Sequence, residues 1–428
     1  MSRVGDSFHR TFHSLHERNF RMYVIGQLVS AAGTWVNATA TAWLVLELSG
    51  SGIALGLNTA LLFSPILVVG PFGGVLADRF DKRRILLVTQ SAFAVISLTL
   101  WVLTGTGAVH LWSVYALSFL NGIVTAIDNP TRQSFYVEMV GTRNLTNAVS
   151  LNSAAFTGAR IVGPALAAVL IAATNGVSVC FLIDAVSYVA VIGALLAMSV
   201  EQMHRQERTT RERGHLVSGL RYVWGSDELR RPLLVMAVVF AFSFNFAVLL
   251  PLLARRTFFG GAGTFGALSA LAGVGSFLGA IVLANRSAAP TMRRLGAFAI
   301  AAGAALVVAG IAPTLHLALL AMIPLGFSAM AFMITGNTIL QVNARPQARG
   351  RVMALYGVVF LGSTPIGSPI AGWIGQNWGA RWGLVVGGAA ALSVGLVTLV
   401  RSRHERAAAE AAAGEVVEAG AVPASAPA

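Results

Sequence analysis

Residues 73–84 read Gly-Gly-Val-Leu-Ala-Asp-Arg-Phe-Asp-Lys-Arg-Arg, and long charge-free runs reach the charged part of this stretch from both sides. The preceding run is Leu48–Ala77 and the following run is Ile85–Ile127. A helix that spans a bilayer needs about 20 mostly apolar residues, so the first run is long enough to cross once and the second twice. The charged residues of this stretch are therefore predicted to form a short loop between membrane helices.

The rest of the chain repeats this pattern of apolar runs and short charged loops. The run Leu295–Ala344 is broken near Pro313, and Arg160 and Asp184 each interrupt a span without ending it. A β-barrel would show short alternating segments instead of continuous apolar runs. We therefore predict an all-α membrane fold of twelve transmembrane helices. The spans are expected near residues 22–47, 52–77, 85–105, 111–138, 147–173, 177–200, 232–254, 262–284, 295–312, 315–340, 351–374 and 381–400.

The composition excludes several other classes of protein. Of the 428 residues, 56% are hydrophobic and only 11% are charged, whereas soluble domains carry about 25% charged residues. Cys180 is the only cysteine, which excludes an internal disulfide framework. The first apolar run is as long as the others, so it is interpreted as span one and not as a cleavable signal peptide.

The basic residues indicate the orientation of the chain. When loops are assigned alternately to the two sides, 25 of the 30 lysines and arginines fall on the side that holds both termini. The other side receives only Arg255, Arg256 and Arg381, and the remaining two lie within spans. Positive loops stay in the cytoplasm, so both termini are expected to be cytoplasmic. This dispersed net charge of +13 is not the footprint of a nucleic-acid binder.

The chain is predicted to consist of two six-helix halves joined by a charged segment. That segment holds an apolar face that predicts a lateral helix on the membrane surface, formed by Leu216, Leu220, Val223 and Trp224. The expected parts are an interfacial head (1–20), an N-terminal half (21–200), a cytoplasmic linker (201–231), a C-terminal half (232–400) and a disordered cytoplasmic tail (401–428).

Glycine spacing indicates that the two halves are repeats. Three pairs lie 204 residues apart, and they are Gly122 with Gly326, Gly158 with Gly362, and Gly163 with Gly367. Two six-span halves are the architecture of transporters that rock around a central cavity.

Four charged side chains are expected inside the spans, namely Asp128, Arg132, Arg160 and Asp184. Charge is costly inside a bilayer, so each of them is a candidate functional residue with a partner. Asp128 and Arg132 lie four residues apart and can pair on one helix. A carboxylate removed from water binds a proton more readily, which makes the two aspartates candidates for proton coupling. The alternative is a structural ion-pair network near the cytoplasmic mouth.

The stretch around residues 73–84 resembles the loop 2–3 motif of the major facilitator superfamily, G-x-x-x-D-R-x-G-R-[RK]. The match falls on Gly74, Asp78, Arg79, Lys82 and Arg83, and Asp81 replaces the second motif glycine. The resemblance implies that this loop clasps the two halves and controls switching between states, with Asp78 and Arg79 in that role. The alternative is a plain loop that carries positive charge on the cytoplasmic side.

A narrower resemblance covers roughly residues 15–400. Asn19–Arg21, Gly26-Gln27, Ser30–Trp35 and Asp128–Pro130 are similar to the branch that contains the enterobactin exporter and bacterial drug-efflux proteins. This resemblance implies that the membrane is the bacterial inner membrane. In span five, Gly158, Gly163 and Pro164 are similar to the G-x-x-x-G-P motif of antiporters, although the first spacing is one residue longer. Glycine and proline there predict a kink that packs closely on a partner helix. Drug antiporters also carry an arginine in span four, where this chain has Ser118.

Weaker candidates line the expected cavity. Glu47 lies at the outer end of span one, Trp35 is an aromatic candidate for contact with an apolar substrate, and Asn245 and Asn337 are uncharged polar groups of the second half. That half has no acidic residue between Glu228 and Glu405, so carboxylate-based coupling must lie in the first half. In the head, His9, His13 and His16 share a face with metal-ligand spacing, but the apolar residues beside them favour an interfacial helix, and we expect no metal.

These observations predict a secondary transporter that exports a small organic molecule, such as a siderophore or a drug, by alternating access with protons as the coupling ion. No Walker A loop, zinc motif or dinucleotide fingerprint is present, so no cofactor is expected and the chain is not expected to be an enzyme. The expected partners are a small substrate, protons and the lipid bilayer, and the protein is expected to be a monomer. The alternatives are a nutrient importer or uniporter of the same fold, or a membrane receptor or enzyme that transports nothing.

Overall fold

The computed structural model describes residues 13–199, 201, 203, 215–285 and 290–420. His9 and most of the expected head, much of the linker and residues 421–428 lie outside the described residues. Within the described part the chain is helical, with no β-strand.

Twelve long helical segments, α1–α12, follow one another along the chain. The first six are α1 Arg18–Ser49, α2 Gly52–Arg79, α3 Lys82–Gly105, α4 Leu111–Gly141, α5 Asn147–Thr174 and α6 Ser178–Ala197. The second six are α7 Asp227–Thr257, α8 Ala262–Ala284, α9 Met292–Ile311, α10 Leu315–Asn343, α11 Arg349–Asn377 and α12 Ala380–Gly420.

Eleven of these segments contain a stretch that is long and apolar enough to cross a membrane. The exception is α1, which is 32 residues long but carries polar side chains along its length, among them Gln27, Thr34 and Asn37. The predicted all-α membrane fold is therefore confirmed. The least apolar of its helices is the first.

Local sequence explains where the helices begin and end. The side chains of Ser51 and Asp81 accept hydrogen bonds from backbone N–H groups in the first turns of α2 and α3, which satisfies donors that have no partner within the helix. α1 ends at Gly50 in the left-handed region, with φ 60°. The helical run from α4 into α5 is interrupted at Gly141, where φ is 68°.

The glycine pairs identified in the sequence have equivalent packing roles in the two halves. A β-carbon at Gly122 of α4 would clash with the carbonyl oxygen of Leu62 in α2, and one at Gly326 of α10 would clash with that of Ala272 in α8. Since α8 and α10 are the repeats of α2 and α4, the same close contact occurs twice.

A second pair repeats in the same way. Gly163 of α5 packs on Trp35 of α1, and Gly367 of α11 packs on Ala241 of α7. Small residues at such contacts let membrane helices approach closely. Gly158 differs from its counterpart Gly362, because no atom of the described residues lies near its missing β-carbon while Leu67 lies near that of Gly362.

The two halves meet through α2 with α11 and α5 with α8. We call the end of the bundle that holds residues 79–84 the motif end, and the opposite end, which holds Gly50, the far end. At the far end the Gly52 N–H donates to Gln376 Oε1 at 2.7 Å, and Arg256 donates to the Gly50 carbonyl. These hydrogen bonds join the halves and close the far end.

The linker and the tail, which lie outside the bundle, can be compared with the domain boundaries expected from the sequence. A helix, His215–Trp224, lies in the linker, with Val223 buried and Leu220 and Trp224 exposed. The tail differs from its expectation of disorder from residue 401, because α12 continues to Gly420. The alanine-rich stretch after residue 406 favours helix, since alanine has the highest helix propensity.

Candidate functional site

Asp184 lies at the centre of a polar cluster between α1, α3 and α6. Its side chain is 1% exposed, and its Oδ2 atom accepts hydrogen bonds from Asn37 Nδ2 at 2.7 Å and Ser97 Oγ at 2.6 Å. Asn37 Nδ2 also donates to Ser97 Oγ at 3.1 Å. Both donors are neutral, so in the described part of the chain this buried carboxylate has no cation bonded to it.

The second oxygen of Asp184 is free to bind a proton. Asp184 Oδ1 is buried and has no hydrogen-bond donor among the described residues. It lies beside Gly33 of α1, where a β-carbon would stand 3.0 Å from it and 2.5 Å from Ser187 Oγ. Tyr188, one turn further along α6, lies within electrostatic range of the carboxylate.

Asp128 has a different environment, nearer the motif end. Its side chain is 2% exposed, and its Oδ1 atom accepts from Thr89 Oγ1 at 2.7 Å and Gln90 Nε2 at 2.8 Å. Its Oδ2 atom forms a salt bridge with Arg132, whose Nε lies 3.0 Å away. Arg132 also donates to Gln27 Oε1 of α1. Asp128 is therefore a saturated carboxylate in an ion pair that links three helices.

The two aspartates are thus suited to different chemistry. Asp128 is bonded to the partly buried Arg132 guanidinium, and loss of this ion pair would leave the cation without its partner. Asp184 has only neutral donors, so it can take up and release a proton without breaking an ion pair. The geometry favours Asp184 as the proton-binding group and Asp128 as a structural one.

The loop 2–3 residues bind mostly within the N-terminal half. Lys82 Nζ lies 2.5 Å from Glu138 Oε1 of α4, and Arg83 donates through Nε at 2.6 Å and Nη2 at 3.0 Å to the carbonyls of Leu195 and Leu196 at the end of α6. A cation at a helix C-terminus satisfies carbonyls that have no partner within the helix. These contacts hold the starts and ends of α3, α4 and α6 together.

The remaining motif residues have distinct surroundings. Arg79 is exposed and Asp78 is half-buried. Asp81, which stands in place of the motif glycine, has φ −63° and caps α3. The turn at this position therefore needs no glycine, and the aspartate side chain stabilises the helix start instead. Gly73 packs closely on the Ala126 backbone of α4.

Arg160 stacks on an aromatic ring and does not pair with a carboxylate of the described residues. Its guanidinium carbon lies 5.6 Å from the centre of the Trp35 ring, and no acidic group in the described part of the chain lies within ion-pair distance of it. Gly163 presses on the same tryptophan from α5. The α5 backbone stays helical through Gly158 and Pro164, so the expected kink is not a break in this helix.

Glu47 belongs to the far-end closure. Its Oε1 accepts a hydrogen bond from Trp43 Nε1 at 2.6 Å, and the Trp43 ring stacks on Phe265 of α8 with centroids 6.5 Å apart. Arg255 lies over the same ring at 5.9 Å and donates to the Leu46 carbonyl at 3.1 Å. These side chains close the far end between α1, α7 and α8.

The second-half candidates lie near an aromatic cluster. Asn245 is buried at a break in α7, where its Nδ2 donates to the Ala241 carbonyl at 2.7 Å and its Oδ1 accepts from Ser368 Oγ at 3.2 Å. Asn337 of α10 accepts from Gln341 at 2.5 Å and lies close to Tyr356. The aromatic cluster consists of Phe240, Phe244, Phe332, Tyr356 and Phe360.

Sequence reasoning missed the uncharged partners of the two aspartates. Asn37, Ser97 and Tyr188 surround Asp184, and Gln27, Thr89 and Gln90 surround the Asp128–Arg132 pair. Their signal was present, because amides and hydroxyls within apolar spans need a buried partner. No cluster of three metal-ligating side chains occurs among the residues that the structure describes.

Two six-helix halves of this arrangement form the major facilitator fold, and comparisons with known proteins agree. The sequence profile of a family described as "Transmembrane secretion effector" matches residues 9–422. The chain belongs to this family of the major facilitator superfamily.

Curated relatives have names that refer to transport or efflux. The Staphyloferrin A transporter of Staphylococcus aureus is 27% identical over 252 residues, 59% of this chain and 63% of that protein. The match thus spans less than two thirds of that relative's length. The Multidrug efflux pump Tap of Mycolicibacterium fortuitum is 26% identical over 82% of this chain and 88% of its own length.

Solved structures share the fold at low sequence identity. A bacterial homologue of the human lysosomal transporter Spinster, in an inward-facing and occupied conformation, has a TM-score of 0.70 at 14% identity over 90% of this chain and 96% of its own. A POT family transporter in complex with 5-aminolevulinic acid has a TM-score of 0.73 at 10% identity over 91% and 96%.

Proposed function

We propose that this protein is a proton-coupled exporter of small organic molecules in the bacterial cytoplasmic membrane, that both of its termini face the cytoplasm, and that it works as a monomer by alternating access. The names of the relatives support a siderophore or a drug-like molecule as substrate. The charge bias of 25 to 3 supports the orientation, which makes the motif end cytoplasmic.

The observation that carries the coupling is the free oxygen of Asp184. A proton on Oδ1 leaves both hydrogen bonds to Oδ2 intact, so the carboxyl can be charged or neutral within the same set of partners. Neutralising a buried charge removes its cost in the low-dielectric interior. Proton uptake and release at Asp184 therefore favours different states of the N-terminal half.

The far-end gate is the other moving part. In the present state the halves meet through Trp43, Phe265 and the hydrogen bonds of Arg255 and Arg256. Release of substrate to the outside requires these contacts to separate while the motif end closes. In this proposal Lys82 and Arg83 keep the N-terminal half rigid during the change, because they bind α4 and α6 of their own half.

The test is the substitution Asp184→Asn, whose side chain resembles the protonated carboxyl. The variant should fold and still exchange substrate down a gradient, but lose efflux against a gradient. The matched control is Glu228→Gln, an exposed carboxylate at the start of α7, which should keep uphill efflux. The assay is ethidium efflux from energised cells, followed by a thermal-stability screen against siderophores and macrolides to find substrates.

Three results would overturn parts of the proposal. Efflux that continues after a protonophore collapses the gradient would exclude proton coupling. Accumulation of a labelled solute inside energised cells would show an importer. Purified protein in liposomes that moves no solute of the screen would favour a receptor or another non-transporting protein.

A further inference from the structure

Buried polar atoms without a hydrogen-bond partner are concentrated in the N-terminal half. Six such side-chain atoms occur among the described residues, and all belong to that half. They are Tyr23 Oη, Gln27 Nε2, Trp35 Nε1, Gln90 Oε1, Tyr136 Oη and Asp184 Oδ1. A buried polar atom without a partner is costly, so such atoms in a native protein usually contact an ordered water.

Four of the six atoms surround the Asp128–Arg132 pair. Gln27 and Gln90 use one end of their amides to bond this pair, and the other end of each amide is unpartnered. The rings of Tyr23 and Tyr136 lie 6.0 Å apart, and both tyrosines are within electrostatic range of the pair. Both rings are nearly fully buried, with exposures of 1% and 3%.

Each of the four side chains either bonds the Asp128–Arg132 pair or lies one helical turn from a residue of this bonded group. Tyr23 and Gln27 lie one turn apart on α1, and Arg132 and Tyr136 lie one turn apart on α4. Gln27 Nε2 can only donate, Gln90 Oε1 can only accept, and the two hydroxyls can do either. This set matches the two to four polar partners that a buried water requires.

We propose that these four groups form an internal water site, and that Tyr188 connects it to Asp184 as a proton path from the motif end. The second part rests on the proposed proton coupling, whereas the water site does not. None of these four atoms takes part in the proposed coupling, because Asp128 and Arg132 form their ion pair without them.

Tyr188 is placed between the two clusters. It is buried against Phe93, with ring centroids 5.5 Å apart, and its hydroxyl lies 3.5 Å from Thr34 Oγ1. It lies one turn along α6 from Asp184, on the same face of that helix. From Gln27 to Asn37 along α1 the clusters are ten residues apart, about 15 Å, and Tyr188 lies about 6 Å from Asp184 toward the motif end.

The chemistry requires only proton transfer. A hydronium ion at the motif end gives its proton to the first water, each hydroxyl or water passes one proton on and receives one, and Asp184 Oδ1 is the final acceptor. The intervening groups end in their starting protonation state, and the carboxylate becomes a neutral acid. Return along the same path restores the carboxylate.

The water site is tested without any substrate. Synchrotron hydroxyl-radical labelling of the purified full-length protein should modify Tyr23 and Tyr136 several-fold more than their burial allows, because radicals form from the adjacent water. The control is Phe181, which is fully buried in an apolar cluster and should stay unmodified after correction for intrinsic reactivity. Labelling of all three at the same low level would overturn the water site.

The sign of a stability change gives a second, independent measurement. Tyr23→Phe and Tyr136→Phe remove hydroxyls with no protein partner, so both should raise the melting temperature if the region is dry. If water binds there, both should lower it. Tyr115→Phe is the control, because its hydroxyl bonds the Ala54 carbonyl at 3.3 Å and its loss lowers stability in either case.

The path is tested by infrared spectroscopy after a pH jump on reconstituted protein. A carboxyl band that Asp184→Asn removes should rise several-fold more slowly in Tyr188→Phe than in wild type, and at the wild-type rate in Tyr115→Phe. An unchanged rate in Tyr188→Phe would overturn the path. Absence of that band in wild type would instead overturn the proposed proton site and leave the labelling result standing.

Discussion

At the scale of single residues, Asp128 and Asp184 differ in their hydrogen-bond partners, and this difference supports the separate roles proposed for them. Both lie within spans and both are nearly fully buried. Asp128 has Arg132 and two neutral donors, while Asp184 has two neutral donors and a free oxygen. The distinguishing neighbour of Asp128 is Arg132, one turn along the same helix, whereas the donors to Asp184 are neutral and come from other helices.

We expect Asp128→Asn to act through stability. The substitution leaves the partly buried Arg132 guanidinium beside a neutral amide, and loss of one partner of a fully buried pair, the upper bound here, costs about 3–5 kcal/mol. The double variant Asp128→Asn/Arg132→Gln removes both charges and should recover part of that loss. Melting temperatures of the purified variants in detergent measure both effects. A double variant less stable than Asp128→Asn alone would contradict this role for the pair.

The sequence could predict which charges are buried but not what surrounds them. Asp128 and Arg132 lie four residues apart on one helix, so their pairing follows from helix geometry. Asn37 and Ser97 reach Asp184 from 147 and 87 residues away. That convergence depends on how α1, α3 and α6 rotate against one another, and tertiary packing sets this rotation.

At the scale of helices, the far end is held by contacts that cross between the halves. Arg256 reaches from the end of α7 to the Gly50 carbonyl, and Gln376 of α11 accepts from the Gly52 N–H. Close glycine contacts between α2 and α11 lie beside them, since Gly372 packs on the Gly52 backbone. This closure consists of a few polar contacts on a surface of small residues, which favours reversible opening.

We expect Arg256→Gln to weaken the far-end closure and shift the protein toward the open state. A cysteine at buried Ala371 of α11 reports this, because a membrane-impermeant maleimide should label Ala371→Cys several-fold faster in the Arg256→Gln background. The native Cys180 is buried and should stay unlabelled. Arg381→Gln is the matched control, since Arg381 lies over Phe258 within its own half. Equal labelling in both backgrounds would contradict the prediction.

For the loop 2–3 motif, the sequence predicted where the helices end and begin but not which residues the loop contacts. The charges indicated a loop, and α2 and α3 do end and begin there. The motif alone did not indicate that Arg83 binds carbonyls at the end of α6. Leu195 and Leu196, which supply these carbonyls, follow Arg83 in the chain by 112 and 113 positions. The sequence showed that Asp81 departs from the motif. Only the structure shows that its side chain caps the first turn of α3.

At the scale of the whole molecule, duplication governs the architecture. The helix pairs α2–α4 and α8–α10 make the same glycine contact, and so do α1–α5 and α7–α11. The spans could be predicted closely because hydropathy depends on local composition, and span 262–284 coincides with Ala262–Ala284. Departures occur at α1, which begins at Arg18, and at the tail, where helix propensity extends α12.

The proposed orientation predicts which positions are accessible from outside an intact cell. Phe259 is 89% exposed at the far end, and Arg79 is exposed at the motif end. An impermeant maleimide should label Phe259→Cys in intact cells, but Arg79→Cys only after the membrane is permeabilised. The reverse pattern would place the termini outside and invalidate the assignment from the charge bias.

The polarity of α1 has a consequence for how the protein is made. A helix with amides and hydroxyls along its length gains less from leaving water than its eleven apolar neighbours. The partners of Gln27 and Asn37 lie on α4, α3 and α6, which the ribosome synthesises later. Stable insertion of α1 therefore depends on later spans, so the N-terminal half is expected to mature in the membrane as one cooperative unit and not helix by helix.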